Sequence, residues 1–116
     1  MSKFFIFIML AIMLVACHKG SDLPGKEASS NQTVEALYHQ AMNELKERKY
    51  KTAITHFEQI ERDHPYSKWA IKAQEMAAYA NYNDEKYDEV IAIADRFIKL
   101  HPGHQDISYM YYLRAM

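Results

Sequence analysis

Apolar residues follow two different patterns along this chain, with a boundary near Thr33. Before the boundary, an apolar run without charges extends from Phe4 to Val15 and is followed by a polar stretch without periodicity. After it, apolar residues recur three or four positions apart, as in Ala53, Phe57 and Ile60. That spacing places them on one stripe of an α-helix. We therefore predict that the chain from Thr33 onward is helical.

The helical part of the sequence repeats at an offset of 37 positions. The matching positions are Ala41, Ala78 and Ala115; Lys49-Tyr50 and Lys86-Tyr87; and His64-Pro65 and His101-Pro102. Periods of this order are typical of arrays in which each repeat is one supersecondary unit. Each unit is predicted to be a helix hairpin, with a tight turn near Tyr50 or Tyr87 and a proline stop at its end.

The helix boundaries follow from this periodicity and from the residues that interrupt it. We predict helices over about Val34 to Arg48, Tyr50 to Asp63, Lys68 to Asn83, Tyr87 to Leu100 and Ile107 to Met116. Thr33 is placed to cap the first helix, and Asp84 lies where the third helix must turn. Trp69 is expected to pack against a neighbouring helix. The predicted fold class is all-α, with two helix hairpins and the first helix of a third.

Residues 1–16 have the character of a signal peptide. Lys3 supplies a positive end, and the apolar run is too short to cross a bilayer, for which a helix needs about 20 residues. The run ends in Leu14-Val15-Ala16-Cys17, which resembles the lipobox of bacterial lipoproteins. That resemblance implies cleavage before Cys17, lipidation of its thiol and a permanent membrane anchor. His18 is not the Asp that commonly retains lipoproteins in the inner membrane, which favours the periplasmic face of the outer membrane.

A polar segment separates the predicted anchor from the repeats. Residues 17–32 contain several helix breakers and no periodicity, so we expect a lipidated, flexible tether. The repeat domain is predicted over residues 33–116, with repeats at about 34–67 and 71–104 and a partial repeat at 108–116. Because the chain has one cysteine and the anchor consumes it, no disulfide framework is expected.

Charge and motif content exclude several classes of function. The chain has 14 Lys and Arg against 15 Asp and Glu, so no basic excess favours nucleic acid as a partner. The sequence contains no glycine-rich phosphate loop or nucleophile elbow, and we expect neither an enzyme nor a cofactor. His101 and His104 could chelate a metal from a turn, but no third ligand has a suitable spacing. We expect solvated loop histidines and no metal site.

Several segments together point to a known family. Ala53-x3-Phe57 followed by Pro65 resembles the second half of the tetratricopeptide repeat (TPR). The segments that carry a closer resemblance are the lipobox, the polar tether, His64 to Ala70, Ala78 to Tyr82 and Arg96 to Pro102. They look like the BamD family of outer-membrane assembly lipoproteins, from the signal peptide to the last residue.

The resemblance implies a TPR superhelix that acts as a lipid-anchored subunit of the outer-membrane β-barrel assembly machinery. Such a subunit helps to fold and insert barrel proteins. The implied partners are the barrel subunit BamA, other lipoproteins of the complex and unfolded outer-membrane proteins. Members of the family carry about five repeats, whereas this chain has two and the first helix of a third, so an N-terminal fragment or an incomplete product is expected.

In TPR arrays the first helix of each unit lines a concave groove, and the repeat phase assigns positions to it. The predicted groove residues are Tyr38, Met42, Leu45, Glu75, Tyr79, Tyr82, Tyr109, Tyr112 and Met116. Tyrosine and methionine suit extended apolar peptides, such as the C-terminal segments of unfolded barrel proteins. Lys46, Lys72 and Asn83 are candidates for a clamp on a terminal carboxylate. The alternative is that this aromatic stripe packs between helices.

Two other functions stay open at the level of the sequence. Another lipidated TPR adaptor, such as a pilotin for secretin assembly or a cell-envelope organiser, would share the fold and the anchor and differ in its partner. A peptidoglycan-active enzyme or its regulator is the third candidate, and the lack of a catalytic constellation argues against the enzyme. A copurifying barrel protein, a secretin or muramyl material would separate the three.

Overall fold

The computed structural model describes the backbone of residues 25–116 and the side chains from residue 33 onward. The predicted signal peptide, Cys17 and the first part of the tether lie outside the described residues. The five helices are α1 (Gly25–Lys46), α2 (Tyr50–Asp63), α3 (Lys68–Asn83), α4 (Tyr87–Leu100) and α5 (Ile107–Ala115). No strand occurs among the described residues. The predicted all-α class is confirmed, and the bounds of α2, α3 and α4 agree with the prediction.

The first helix differs from its prediction at both ends. It begins at Gly25 rather than Val34, so the backbone of residues 25–32 is helical where the sequence predicted an irregular tether. Lys26, Glu27 and Ala28 are good helix formers, which favours this extension through the polar segment. As a result, the capping role predicted for Thr33 is wrong, because that residue lies inside the helix.

Both hairpins turn through a residue in the left-handed helical region. Arg48 and Glu85 each have a φ of 61°. In the first turn, the amide of Lys49 donates to the carbonyl of Glu44 at 2.9 Å, and the equivalent bond 37 positions later has the same length. This bond closes the Schellman motif, in which a left-handed residue ends a helix and satisfies its last carbonyls. The sequence repeat is therefore also a repeat of backbone conformation.

The connections between units stop one helix and start the next. α2 and α4 end before Pro65 and Pro102, as predicted, because proline disfavours helical backbone in the residue that precedes it. Ser67 then caps α3, since its hydroxyl oxygen accepts a hydrogen bond from the amide of Ala70 at 3.1 Å. Asp84 follows the last residue of α3, where the turn was predicted.

Helix α3 lies at the centre of the packing. Each helix packs against its neighbours in sequence, and α3 also touches α1 and α5. The large side chains with almost no exposure are Val34, Phe57, Ile60, Val90, Phe97 and Met110. Ala41 and Ala78 are fully buried and allow close approach of the helices that carry them. None of the helices within residues 25–116 is long and apolar enough to cross a membrane.

Candidate peptide-binding groove

The first helices of three successive units meet around an open cleft of about 460 Å³. Its lining residues are Met42, Leu45 and Lys46 of α1; Arg48 of the first turn; Tyr50 of α2; Met76, Tyr79 and Asn83 of α3; and Tyr109 of α5. We refer to this space as the cleft. Because α3 packs between α1 and α5, the concave side of the array brings together residues that are more than 60 positions apart in sequence.

The walls of the cleft are aromatic and thioether-bearing. Tyr79 is 40% exposed, whereas Leu45 is 8% exposed and forms the firmer apolar base. Met42, Met76 and Tyr109 are half-buried against the core. Burial, followed by the neighbouring Tyr79, raises the pKa of the Tyr109 phenol. These side chains offer apolar area for contact with a ligand, and the hydroxyl groups of Tyr79 and Tyr109 can orient it by hydrogen bonds. The methionines can adjust to different ligand shapes.

One edge of the cleft is cationic. Lys46 and Arg48 lie beside it, and among the described residues neither has an ion-pair partner. Asn83 also lines it, and its side-chain amide donates to the carbonyl of Tyr79 at 2.8 Å, which fixes its position. Of the clamp candidates from the sequence, Lys46 and Asn83 therefore share the cleft. The ammonium of Lys72 instead lies 4.9 Å from the centre of the Trp69 ring.

Five of the residues predicted for the groove do not line the cleft, and one of them is Met116, which is 50% exposed. The ring of Tyr38 packs 4.9 Å from that of Trp69 and 5.8 Å from that of Phe57, so it belongs to an aromatic cluster between α1, α2 and α3. Tyr82 packs edge-on against Tyr87 at 5.8 Å. Tyr112 is 59% exposed on α5, away from the lining. The packing of Trp69 itself, which is 7% exposed, agrees with the prediction.

Glu75 also lies outside the lining of the cleft, and its carboxyl group is buried. It keeps 9% of its surface exposed, and its Oε1 atom has no hydrogen-bond partner among the described residues. The imidazole Nδ1 of His104 lies 3.5 Å from that oxygen. Burial, followed by the charge of Asp106, raises the pKa of the Glu75 carboxyl to about 7. Glu75 is therefore coupled to the loop between α4 and α5.

The two loop histidines are less solvated than the sequence suggested. Both are half-buried, with ring centres 5.0 Å (His101) and 5.4 Å (His104) from the ring of Phe97. His104 also faces Asp106, whose carboxylate lies 3.7 Å from the same Nδ1 atom. The sequence could not have found the grouping with Glu75, since 29 positions separate Glu75 from His104 and no motif links them.

Comparisons with known proteins agree with this architecture. A family model described as outer membrane lipoprotein, YfiO, matches residues 30–116. The outer membrane protein assembly factor BamD of Caulobacter vibrioides is 40% identical over 83 residues, which cover 72% of this chain and 27% of the relative. That of Neisseria meningitidis serogroup B is 34% identical over a 117-residue alignment, which covers 100% of this chain and 44% of the relative.

A third relative is similar over most of the chain. The outer membrane protein assembly factor BamD of Xylella fastidiosa strain Temecula1 is 32% identical over 111 residues, which cover 96% of this chain and 37% of the relative. The chain thus spans less than half the length of these curated relatives. These matches confirm the resemblance seen in the sequence, and the chain belongs to the YfiO family of outer membrane lipoproteins.

Proposed function

We propose that this chain is a scaffold in the assembly of outer-membrane β-barrel proteins, anchored by lipid on Cys17 at the periplasmic face of the outer membrane. The names of its relatives, which are outer membrane protein assembly factors, support the process. Within it, the chain binds unfolded barrel proteins and works with the barrel subunit BamA and other lipoproteins of the complex. Its role is recognition rather than catalysis.

The cleft is where the unfolded substrate binds in this proposal. An extended peptide projects alternate side chains to opposite sides, so one row of apolar residues can face Met42, Met76 and Tyr79. The other row stays in water. The cleft is open and is bounded by three helices that belong to successive units, so such a row would contact more than one unit.

The cationic edge gives the peptide a direction. A terminal carboxylate placed between Lys46 and Arg48 would gain charge-assisted hydrogen bonds from groups that have no carboxylate partner among the described residues. An aromatic residue at the end of the peptide would then lie against Tyr79 or Tyr109. The single observation that carries the proposal is this combination in one cleft of an aromatic and methionine wall with two cations that have no carboxylate partner among the described residues.

A peptide-binding measurement tests the proposal. The probe is a fluorescent peptide that alternates apolar and polar residues and ends in Phe, prepared with a free carboxylate or with an amide. Replacement of both cations, Lys46→Gln with Arg48→Gln, is expected to weaken binding of the free acid by at least about tenfold, since even one charged hydrogen bond contributes about 1.5–3 kcal/mol. Binding of the amidated peptide should hardly change.

The aromatic wall is tested separately with the same two peptides. Tyr79→Ala should weaken binding of both forms, because it removes apolar contact rather than charge. Tyr111→Ala is the matched control, since Tyr111 is 46% exposed and does not line the cleft. Equal affinities for the acid and the amide, together with no effect of Tyr79→Ala, would contradict binding in the cleft.

A further inference from the structure

We propose that Glu75, His104 and Asp106 form a binding site for a divalent metal ion of the zinc class, a site that goes beyond the peptide-binding function. One ligand atom from each residue, a carboxylate oxygen or an imidazole nitrogen, lies within 4.8 Å of the others. α3 supplies Glu75, and the loop between α4 and α5 supplies the other two. The metal would therefore tie α3 to the connection that leads into α5.

Two of the three distances between these atoms are close to those of a tetrahedral site, and all three atoms lie within 4.8 Å of one another. Ligands that lie about 2.0–2.2 Å from zinc are roughly 3.3–3.6 Å apart at the corners of a tetrahedron. Glu75 Oε1 lies 3.5 Å from His104 Nδ1, and that nitrogen lies 3.7 Å from Asp106 Oδ2. Movement of the Glu75 and Asp106 carboxylates toward a common ion would bring all three atoms into coordination distance.

The three ligand atoms differ in the hydrogen bonds that they already accept. The amide of Asp106 donates to His104 Nδ1 across a long 3.3 Å contact, which a metal ion would have to replace. Glu75 Oε1 is buried and has no hydrogen-bond partner among the described residues. Asp106 Oδ2 accepts a long 3.4 Å hydrogen bond from the side-chain amide of Gln105. Of the three converging acceptors, Glu75 Oε1 is thus the one that no donor among the described residues satisfies. A buried acceptor in this position is costly unless a cation or a proton satisfies it.

The donor set also selects the kind of ion. Imidazole nitrogen suits zinc and other late first-row metals, whereas sites for magnesium and calcium use oxygen ligands throughout. Two carboxylates and a neutral imidazole balance the charge of a divalent cation. Three protein ligands leave a fourth position for water.

The site would fix one wall of the cleft. The carbonyl of Asp106 accepts a hydrogen bond from the amide of Tyr109 at 3.0 Å, in the first turn of α5. Tyr109 is the residue through which α5 lines the cleft. A metal held between Glu75 and Asp106 would therefore hold the start of α5 against α3.

Metal titration of the full chain, purified in detergent without a histidine tag and stripped with a chelator, tests the proposal. Zn²⁺ binding is followed by calorimetry, and Co²⁺ by the absorption bands of a tetrahedral complex. We expect one equivalent to bind and the melting temperature to rise with Zn²⁺. Glu75→Gln and Asp106→Asn should each weaken binding by more than about tenfold, the lower range seen when even indirect metal partners are lost.

Two control variants make the result specific. His64→Asn changes a half-buried histidine 37 positions before His101 and should leave the affinity unchanged. Cys17→Ser excludes the thiol as a ligand and should do the same. Circular dichroism verifies that each variant keeps its helices, and Asp106→Asn should keep the fold because that side chain is 45% exposed. Absence of binding, or equal affinity in wild type and in both ligand variants, would overturn the proposal.

Discussion

Glu85 lies in a left-handed turn, and its replacement by glycine should raise the stability of the fold, whereas glycine usually lowers it. Glycine normally destabilises a helix, but Glu85 has a φ of 61°, where a side chain is unfavourable. Its amide still donates to the carbonyl of Tyr82 at 3.1 Å, and that bond does not depend on the side chain. Glu85→Gly should therefore stabilise the fold.

The magnitude follows from two opposing effects. A non-glycine residue in the left-handed region costs roughly 1–2 kcal/mol relative to the right-handed one. Glycine loses more backbone entropy on folding, which costs about 0.5–1 kcal/mol. The net gain in the free energy of unfolding should be about 0.5–1 kcal/mol. For a domain of this size, that corresponds to a rise in Tm of about 2–8 °C.

Thermal and urea unfolding of the full chain measure this difference. The matched control is Glu58→Gly, the same chemical change at an exposed site inside α2, where the unfolding free energy should fall by up to about 1 kcal/mol. If the free energy of unfolding rises in Glu85→Gly and falls in Glu58→Gly, the result supports the left-handed geometry of the turn. A loss of stability in Glu85→Gly as large as that in Glu58→Gly would refute the reasoning.

Substitutions at three further positions test the packing, the cap and the surface charges by urea unfolding. Phe57→Ala should cost about 3–5 kcal/mol, because the ring is fully buried, and a loss below 1 kcal/mol would contradict its core position. Ser67→Ala should cost about 1 kcal/mol through loss of the cap, whereas Ser67→Asp should largely keep it. Arg96→Gln breaks a 2.8 Å ion pair with Glu61 but should change stability by less than about 1 kcal/mol, since Arg96 is half-exposed and screened.

The sequence predicted the fold well because its two periodicities agree. The 3.6-residue stripe defined the helices, and the 37-residue offset defined the units, so proline and turn positions could be assigned consistently. Two pairs of equivalent positions in the repeats stay buried even though the size of the residue changes. Ile60 returns as Phe97 and Phe57 as Ala94, and all four are fully buried. The start of α1 was missed because its first turns lack an apolar stripe, which is the signal that the prediction used.

The cleft was only partly predictable. Repeat phase correctly grouped Met42, Leu45, Tyr79 and Tyr109 at one surface, although their role in peptide binding remains a proposal. The sequence could not show that Tyr38 lies outside the cleft, because its contact with Trp69 depends on how α1 crosses α3.

Arg48 was missed as a member of the cationic edge for a related reason. Its place beside the cleft follows from the left-handed turn rather than from a helical stripe. The cluster of Glu75, His104 and Asp106 had no sequence signal at all, since the packing of a loop on α3 brings it together.

The most direct test of the central claim is photo-crosslinking from position 79 of the full chain in Gram-negative cells, with Cys17 intact. A photoreactive residue replaces Tyr79, and the same residue at Tyr111 provides a control of similar exposure outside the cleft. We expect adducts with nascent barrel proteins at position 79 and far fewer at position 111. Adducts with a secretin alone, or equal adducts at both positions, would contradict a cleft that receives barrel-protein segments.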